Sequence, residues 1–165
     1  MITDTTSVFP SNAIGVLKQK TQNLDPDLFV IGRPLRESDP VQSVGIFGTQ
    51  WIPDDPRSLE IMGLPVGRHV PTLQSYLITI QAFVKDMDEE RGLTVHSVLS
   101  KKLRSMLYRD DSVRVGLLAL SVTMNGSTER TKRFGLRTQR FVSNELSGSW
   151  LYLSTLEFWL ETETV

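Results

Sequence analysis

The sequence predicts an α+β domain: a mixed, mainly antiparallel β-sheet with two α-helices packed on it, a C-terminal β-meander and one long Pro/Gly-rich loop. Three observations predict it. From Gln74 to Val84 the even positions are Gln74, Tyr76, Ile78, Ile80, Ala82 and Val84, while Ser75, Thr79 and Gln81 stand among the odd ones. This period of two marks a strand with one buried face. Val95, Val98, Leu99, Leu103, Met106 and Leu107 then recur at helical spacing. The last third is rich in β-branched and aromatic residues, and its runs are parted by the turn residues Asn125-Gly126 and Gly148.

Composition sets the bounds. With 165 residues, 39% of them hydrophobic and 22% charged, the chain is one domain, 1–165, large enough to bury a core without staples. It has no cysteine, so neither a disulfide nor a thiolate metal site exists. Met1-Ile2-Thr3-Asp4 lacks the basic start and apolar core of a secretory signal, and synthesis in the cytoplasm is expected. The longest apolar stretch, Val115 to Leu120, is far shorter than the roughly 20 residues that cross a bilayer. The net charge of −1 is unevenly spread. Residues 1–90 carry 7 Lys/Arg against 12 Asp/Glu, residues 91–140 carry 11 against 3, and residues 141–165 carry 4 Glu and no base. Such asymmetry serves nucleic-acid binding, or complementary faces of neighbouring subunits, or simply the solvated face of a sheet.

In chain order, residues 1–10 read as a flexible arm rich in Thr and Ser that stops at Pro10. A short helix follows, capped by Ser11 or Asn12, with Ala13, Ile14, Val16 and Leu17 as its apolar positions. Asp25-Pro26 ends it near Asn23. Leu28–Ile31 is a short strand closed by Gly32. Residues 33–71 are irregular, but Val44–Ile52 reads as a strand in which Gly45 and Gly48 mark bulges or a close backbone approach. Residues 53–71 form the long loop. Its Leu59, Ile61, Met62, Leu64 and Val66 have little reason to face water and are assigned to a contact with the domain or a partner. After the alternating strand, Asp86-Met87-Asp88-Glu89-Glu90 leads into the long helix, with Lys101, Lys102, Arg104 and Arg109 toward its end, as the helix dipole favours. Val113–Met124, apolar on both faces, reads as a central strand. Asn125-Gly126 turns it into a return strand, Arg130–Val142. A turn at 144–149 precedes a last strand with Trp150, Tyr152, Leu156, Phe158 and Leu160 on one face and a polar tail from Glu161.

No chemistry announces itself. There is no Gly-x-Ser-x-Gly elbow, no Walker loop and no Gly-x-Gly-x-x-Gly. His69 and His96, the two histidines, have no second histidine at ligand spacing, and a lone His96 beside Val95 and Val98 reads as a packing or surface residue. The run Asp86, Asp88, Glu89, Glu90 has oxygens for a hard cation but lacks the EF-hand pattern, and a helix start explains it. No catalytic residue, cofactor or metal is assigned. The remaining feature is a basic strand: Arg130, Lys132, Arg133, Arg137 and Arg140, interleaved with Phe134 and Phe141. Bases with aromatics can bind a single strand of nucleic acid. They can equally meet acids on a neighbouring subunit, and this is preferred because the whole chain is not basic.

The element order, with Asn12-Ala13-Ile14-Gly15-Val16-Leu17, then Tyr76-Leu77-Ile78-Thr79-Ile80-Gln81-Ala82-Phe83 leading through Lys85-Asp86 into Val98-Leu99-Ser100-Lys101-Lys102-Leu103, and finally Trp150-Leu151-Tyr152-Leu153 and Phe158-Trp159-Leu160, resembles the tail terminator proteins of long-tailed bacteriophages, the family of the lambda gene U product. The likeness spans most of residues 10–162. It implies a structural protein without an active site. Members form a homohexameric ring that caps the head-proximal end of the tail tube, stops its polymerisation and joins it to a head-completion protein. DNA passes through the lumen without sequence-specific binding, and the protein resides in the virion at the head–tail junction. The self-contacts, the tube protein and the head-completion or connector protein are then the partners, and no membrane is involved. Rival readings are another connector or tube component, a nucleic-acid-binding domain using residues 130–140, and a small enzyme using His96.

Overall fold

The computed structural model describes residues 8–52, 72–124, 126–146 and 148–164. The elements are α1 (Val8–Gln22), β1 (Phe29–Ile31), β2 (Gln42–Ile52), β3 (Thr72–Asp86), α2 (Glu89–Arg109), α3 (Asp111–Leu118), β4 (Ser121–Met124), β5 (Ser127–Leu146) and β6 (Ser149–Thr164). The described strands form one six-stranded sheet in the order β1-β2-β3-β6-β5-β4. Only β1 runs parallel to its neighbour; every other pairing is antiparallel. The predicted class, α+β with a mainly antiparallel mixed sheet, is the observed one.

The core lies between one sheet face and the three described helices. Val44 and Ile46 of β2 stand opposite Ala82 and Ile80 of β3, and β3 in turn places Ile78 and Ile80 opposite Phe158 and Leu156 of β6. Against this face pack Ala13 and Leu17 of α1, Leu99, Leu103 and Met106 of α2, and Val113 and Leu117 of α3. The buried stripe of α2 is Gly92, His96, Leu99, Leu103 and Met106, in steps of four, three, four and three. Val98, expected inside, lies about 100° round the helix from Leu99 and is exposed.

Asp88 caps α2 by accepting from the Arg91 amide at 2.9 Å. Asp86 is held by the Arg91 guanidinium at 2.7 and 2.9 Å. The acidic run is thus a helix start, as its sequence suggested.

Several expectations are corrected. The arm does not extend to Pro10, because α1 begins at Val8. Proline lacks only an amide that the first turn leaves unpaired anyway, so Pro10 is accommodated and neither Ser11 nor Asn12 is the cap. The central strand at Val113–Met124 does not exist. Asp110 accepts from Ser112 N and starts a third helix, α3, and only Ser121–Met124 is extended, at the sheet edge. The polar tail from Glu161 continues β6 to Thr164, with Glu161 and Thr162 buried. The turn before β6 is also tighter than expected, since Leu146 pairs with Ser149 across it.

The second face of β3 is not open either: Leu77, Thr79 and Phe83 are buried. Residues 33–39 cross this face. The Leu35 amide donates to Gln81 Oε1 at 3.1 Å, and the Leu35 side chain lies over Gly45. A Cβ on Gly45 would stand 2.5 Å from the Arg33 carbonyl oxygen, so the close approach expected at Gly45 is real. Gly48 flanks the β2 register shift, as expected of a bulge.

The crossing segment is clamped by Arg33 on Asp39, at 2.7 and 2.9 Å, with the Arg36 amide on the same carboxylate at 2.7 Å. These bonds hold the Asp39 carboxyl at about 2, below the ordinary 3.8. A lowered carboxyl favours folding above the unfolded value and loses that contribution as pH falls toward the folded one. Acidification from about pH 4 to 2 should therefore release residues 33–39 first. Faster amide exchange at Leu35, relative to Ile80 in the core, would report it; equal protection of both down to pH 2 would contradict it.

Candidate assembly interface

Of the ten residues assigned to an interface from sequence, Leu59, Ile61, Met62, Leu64 and Val66 lie outside the described residues, as does the rest of the 53–71 loop. The five bases all lie on β5. Register decides what each meets. On the sheet face away from the helices, Arg130 stands opposite Glu163 and Arg133 opposite Glu161. Arg130 reaches Glu163 at 3.3 Å, and Arg133 reaches Glu161 at 3.1 and 3.3 Å. The Arg133 guanidinium also lies 5.5 Å from the centre of the Trp159 ring, within cation–π range. The acids of the last segment thus neutralise bases of the same chain. Because β5 and β6 are adjacent strands, Arg130 and Arg133 have internal acid partners, while their side chains stay more than half exposed.

Lys132 and Arg137 fall at the two register shifts of β5, Thr131/Arg133 and Leu136/Thr138. Each is the extra residue of a bulge. Bulges and charges on an outer strand discourage open-ended pairing. Lys132 and Arg140 are exposed, and no acid within the described residues pairs with either.

Beyond Arg130, where β4 ends, β5 has β6 on one side and no strand on the other among the described residues. This open edge runs to Leu146. It carries Phe141, 52% exposed, and Val142, 48% exposed. Phe134 differs. It is partly buried against the core, edge-on to Phe158 at 6.5 Å. It is therefore no platform for a base.

The inner flank of this edge faces α2 across a groove of about 840 Å³. Lys101, Arg104, Tyr108 and Arg109 line it from the helix, and Gln139 from β5. No acid among the described residues pairs with these cations. The helix dipole does not account for them all, since only Arg109 stands in the last turn.

No protein-family model matches this sequence. No curated protein is similar to it in sequence. Among solved structures, a chain of the virion of a native gene transfer agent particle superposes with a TM-score of 0.49 at 8% identity, covering 94% of this chain and 98% of that one. A likeness this slight carries no argument about function.

His96 is placed by the fold, not by the groove. It is 2% exposed, its Nε2 lies 3.2 Å from Ser154 Oγ, and its ring also hydrogen-bonds the Ala82 backbone. Phe141 and Tyr152 flank it at 5.2 and 6.2 Å between ring centres. Burial pushes its pKa below 6.5, against the Ala82 bond that raises it. A neutral imidazole joining α2 to β3 and β6 is a structural tie. Ser100 extends the row, with its Oγ 3.2 Å from Ser154 Oγ. Ser154 is buried, so this serine–histidine pair offers no substrate a nucleophile. Among the described residues no three acids or histidines converge on a metal position, and no helix is long and apolar enough to cross a membrane.

The open β5 edge and the groove beside it escaped the sequence reading. The bases of α2 were visible, but their gathering against Gln139 depends on how helix and strand cross. The one available signal was the 20-residue length of β5 against four residues in β4, and β4 could not be delimited without recognising α3.

Proposed function

We propose that this chain is a structural protein of a long-tailed phage tail, and within that class the tail terminator: a homohexameric ring that caps the head-proximal end of the tube and meets a head-completion protein on its other face. One observation supports the assembly part of this reading. The distal edge of β5 leaves Phe141 and Val142 half exposed on a strand with no outer partner among the described residues. Exposed apolar side chains on an open edge are characteristic of a surface that another chain covers. The bulges and bases along the same edge oppose indefinite strand addition, which suits a closed ring better than a fibre. The choice of terminator within the class rests on the family resemblance of the sequence, and the observed order of helix, strands, long helix and closing strand pair is compatible with it.

The nucleic-acid reading is weaker on this geometry. Arg130 and Arg133 are neutralised by Glu163 and Glu161, and Phe134 is turned into the core. An enzymatic role finds no support in the buried His96. The proposal is that the protein is not an enzyme, needs no cofactor and lets DNA pass without reading it.

Electron microscopy of the purified protein mixed with preformed tail tubes tests the reading. A single cap at one tube end is expected. Growth of open cylinders would move the chain to the tube protein. Indifference to tubes combined with DNA retention at moderate salt would replace the proposal with nucleic-acid binding.

A further inference from the structure

Two exposed patches of opposite sign lie on α2 and cannot meet within one molecule. The first is the helix start. Asp86 is spent on Arg91 and Asp88 on the cap, but Glu89 and Glu90 are exposed and have no ion-pair partner among the described residues. Leu93, one turn on, is exposed beside them, and Met87 just before is 80% exposed. The second is the groove further along the same helix, where Lys101 and Arg104 stand beside Val98 and Tyr108, the latter 61% exposed. Each patch thus joins like charges, Glu89 and Glu90 in the first and Lys101, Lys102, Arg104 and Arg109 in the second, to two exposed apolar side chains. Both lie on one rigid helix of 21 residues, roughly 30 Å long, so the first cannot fold back into the second. A second copy can supply it.

Resting on the assembly reading, we propose that the acidic Glu89/Glu90/Leu93 patch of one copy meets the basic Lys101/Arg104/Tyr108 groove of the next, giving the head-to-tail contact that closes the ring. Used head to tail the contact is heterologous: the acidic patch and the basic groove are different surfaces, each subunit uses both, and repetition closes a ring when the rotation allows, whereas a pair that stops at two copies would overturn it. Opposite charges steer the encounter and fix its register, while Leu93 and Met87 against Val98 and Tyr108 exclude water from it. The dipole explains acids at the start of α2, but its influence is confined to the terminal turns and leaves Lys101 and Arg104 unexplained. The contact between the two patches accounts for both.

The test uses two charge-reversed forms of the full chain, Glu89→Lys/Glu90→Lys and Lys101→Glu/Arg104→Glu, followed by native mass spectrometry, with circular dichroism melting to verify folding. Each form alone sets like charges against each other at every contact, and its association should weaken about tenfold or more. Mixed in equal amounts, the two restore opposite charges at every contact of an alternating ring, which needs an even number of subunits, and the ring should return. Rings in both single forms, as in the wild type, would overturn the contact and leave the ring standing. Folded forms that stay apart when mixed would overturn the pairing of these two patches. A wild type that never exceeds a monomer, with or without tubes, would overturn the assembly reading and the contact together.

Discussion

Gly45→Ala should destabilise the fold by roughly 2–3 kcal/mol, lowering the melting temperature by about 5–10 °C. The added methyl would meet the Arg33 carbonyl oxygen at 2.5 Å and the Leu35 side chain at 3.0 and 3.3 Å. A backbone oxygen cannot swing aside like a side-chain tip, so the crossing segment must lift as a unit. Lifting it strains the Leu35–Gln81 bond and the Arg33–Asp39 clamp together. The same exchange at Gly15 should act in the opposite direction. That glycine is inside α1, and nothing stands within 4 Å of an added Cβ. Gly15→Ala should stabilise by about 0.5–1 kcal/mol through helix propensity and the lower entropy of the unfolded chain. Paired thermal melts decide it. Equal effects at both positions would show that segment 33–39 does not lie on β2 as described.

His96→Ala should cost about 2–4 kcal/mol, since it opens a cavity between Phe141 and Tyr152 and strands Ser154 and the Ala82 backbone without their ring partner. It should also change the pH dependence. The folded histidine has a lowered pKa because burial disfavours its charge. Below the ordinary value of 6.5 the unfolded chain takes up a proton that the folded one resists, so stability falls with pH from about 6.5 down to the folded value. Above 6.5 both states are neutral and no slope arises. Denaturant melts between pH 5 and 8 should show this slope in the wild type and lack it in His96→Ala. An identical slope in both would assign the effect to another group.

Much of the fold was legible because its patterns are local. The alternation of β3 and β6, Gly126 and Gly148 at φ near 81° and 83°, and the Asp88 cap all act over a few residues. The failures came where local patterns are ambiguous. Val113–Met124 is apolar on both faces, which a central strand and a buried short helix share. Only Asp110, with Val113 and Leu117 four apart, distinguishes the helix. Glu161 looked like tail because its burial depends on Arg133, twenty-eight residues away, being its neighbour across the sheet.

The candidate interface was half legible for the same reason. The bases of β5 were found, but whether each is free or paired is a matter of register, and register placed two of them on internal acids. The open edge at Phe141 and Val142 and the groove beside Tyr108 exist only once strand and helix have packed.

The most direct test of the account is the mass of the purified full-length chain, measured from micromolar to near-millimolar concentration at low and high salt. The account predicts one discrete closed species of six copies that gives way to monomer as salt screens the charged contact. A monomer at every concentration and salt that also fails to cap preformed tail tubes would contradict it.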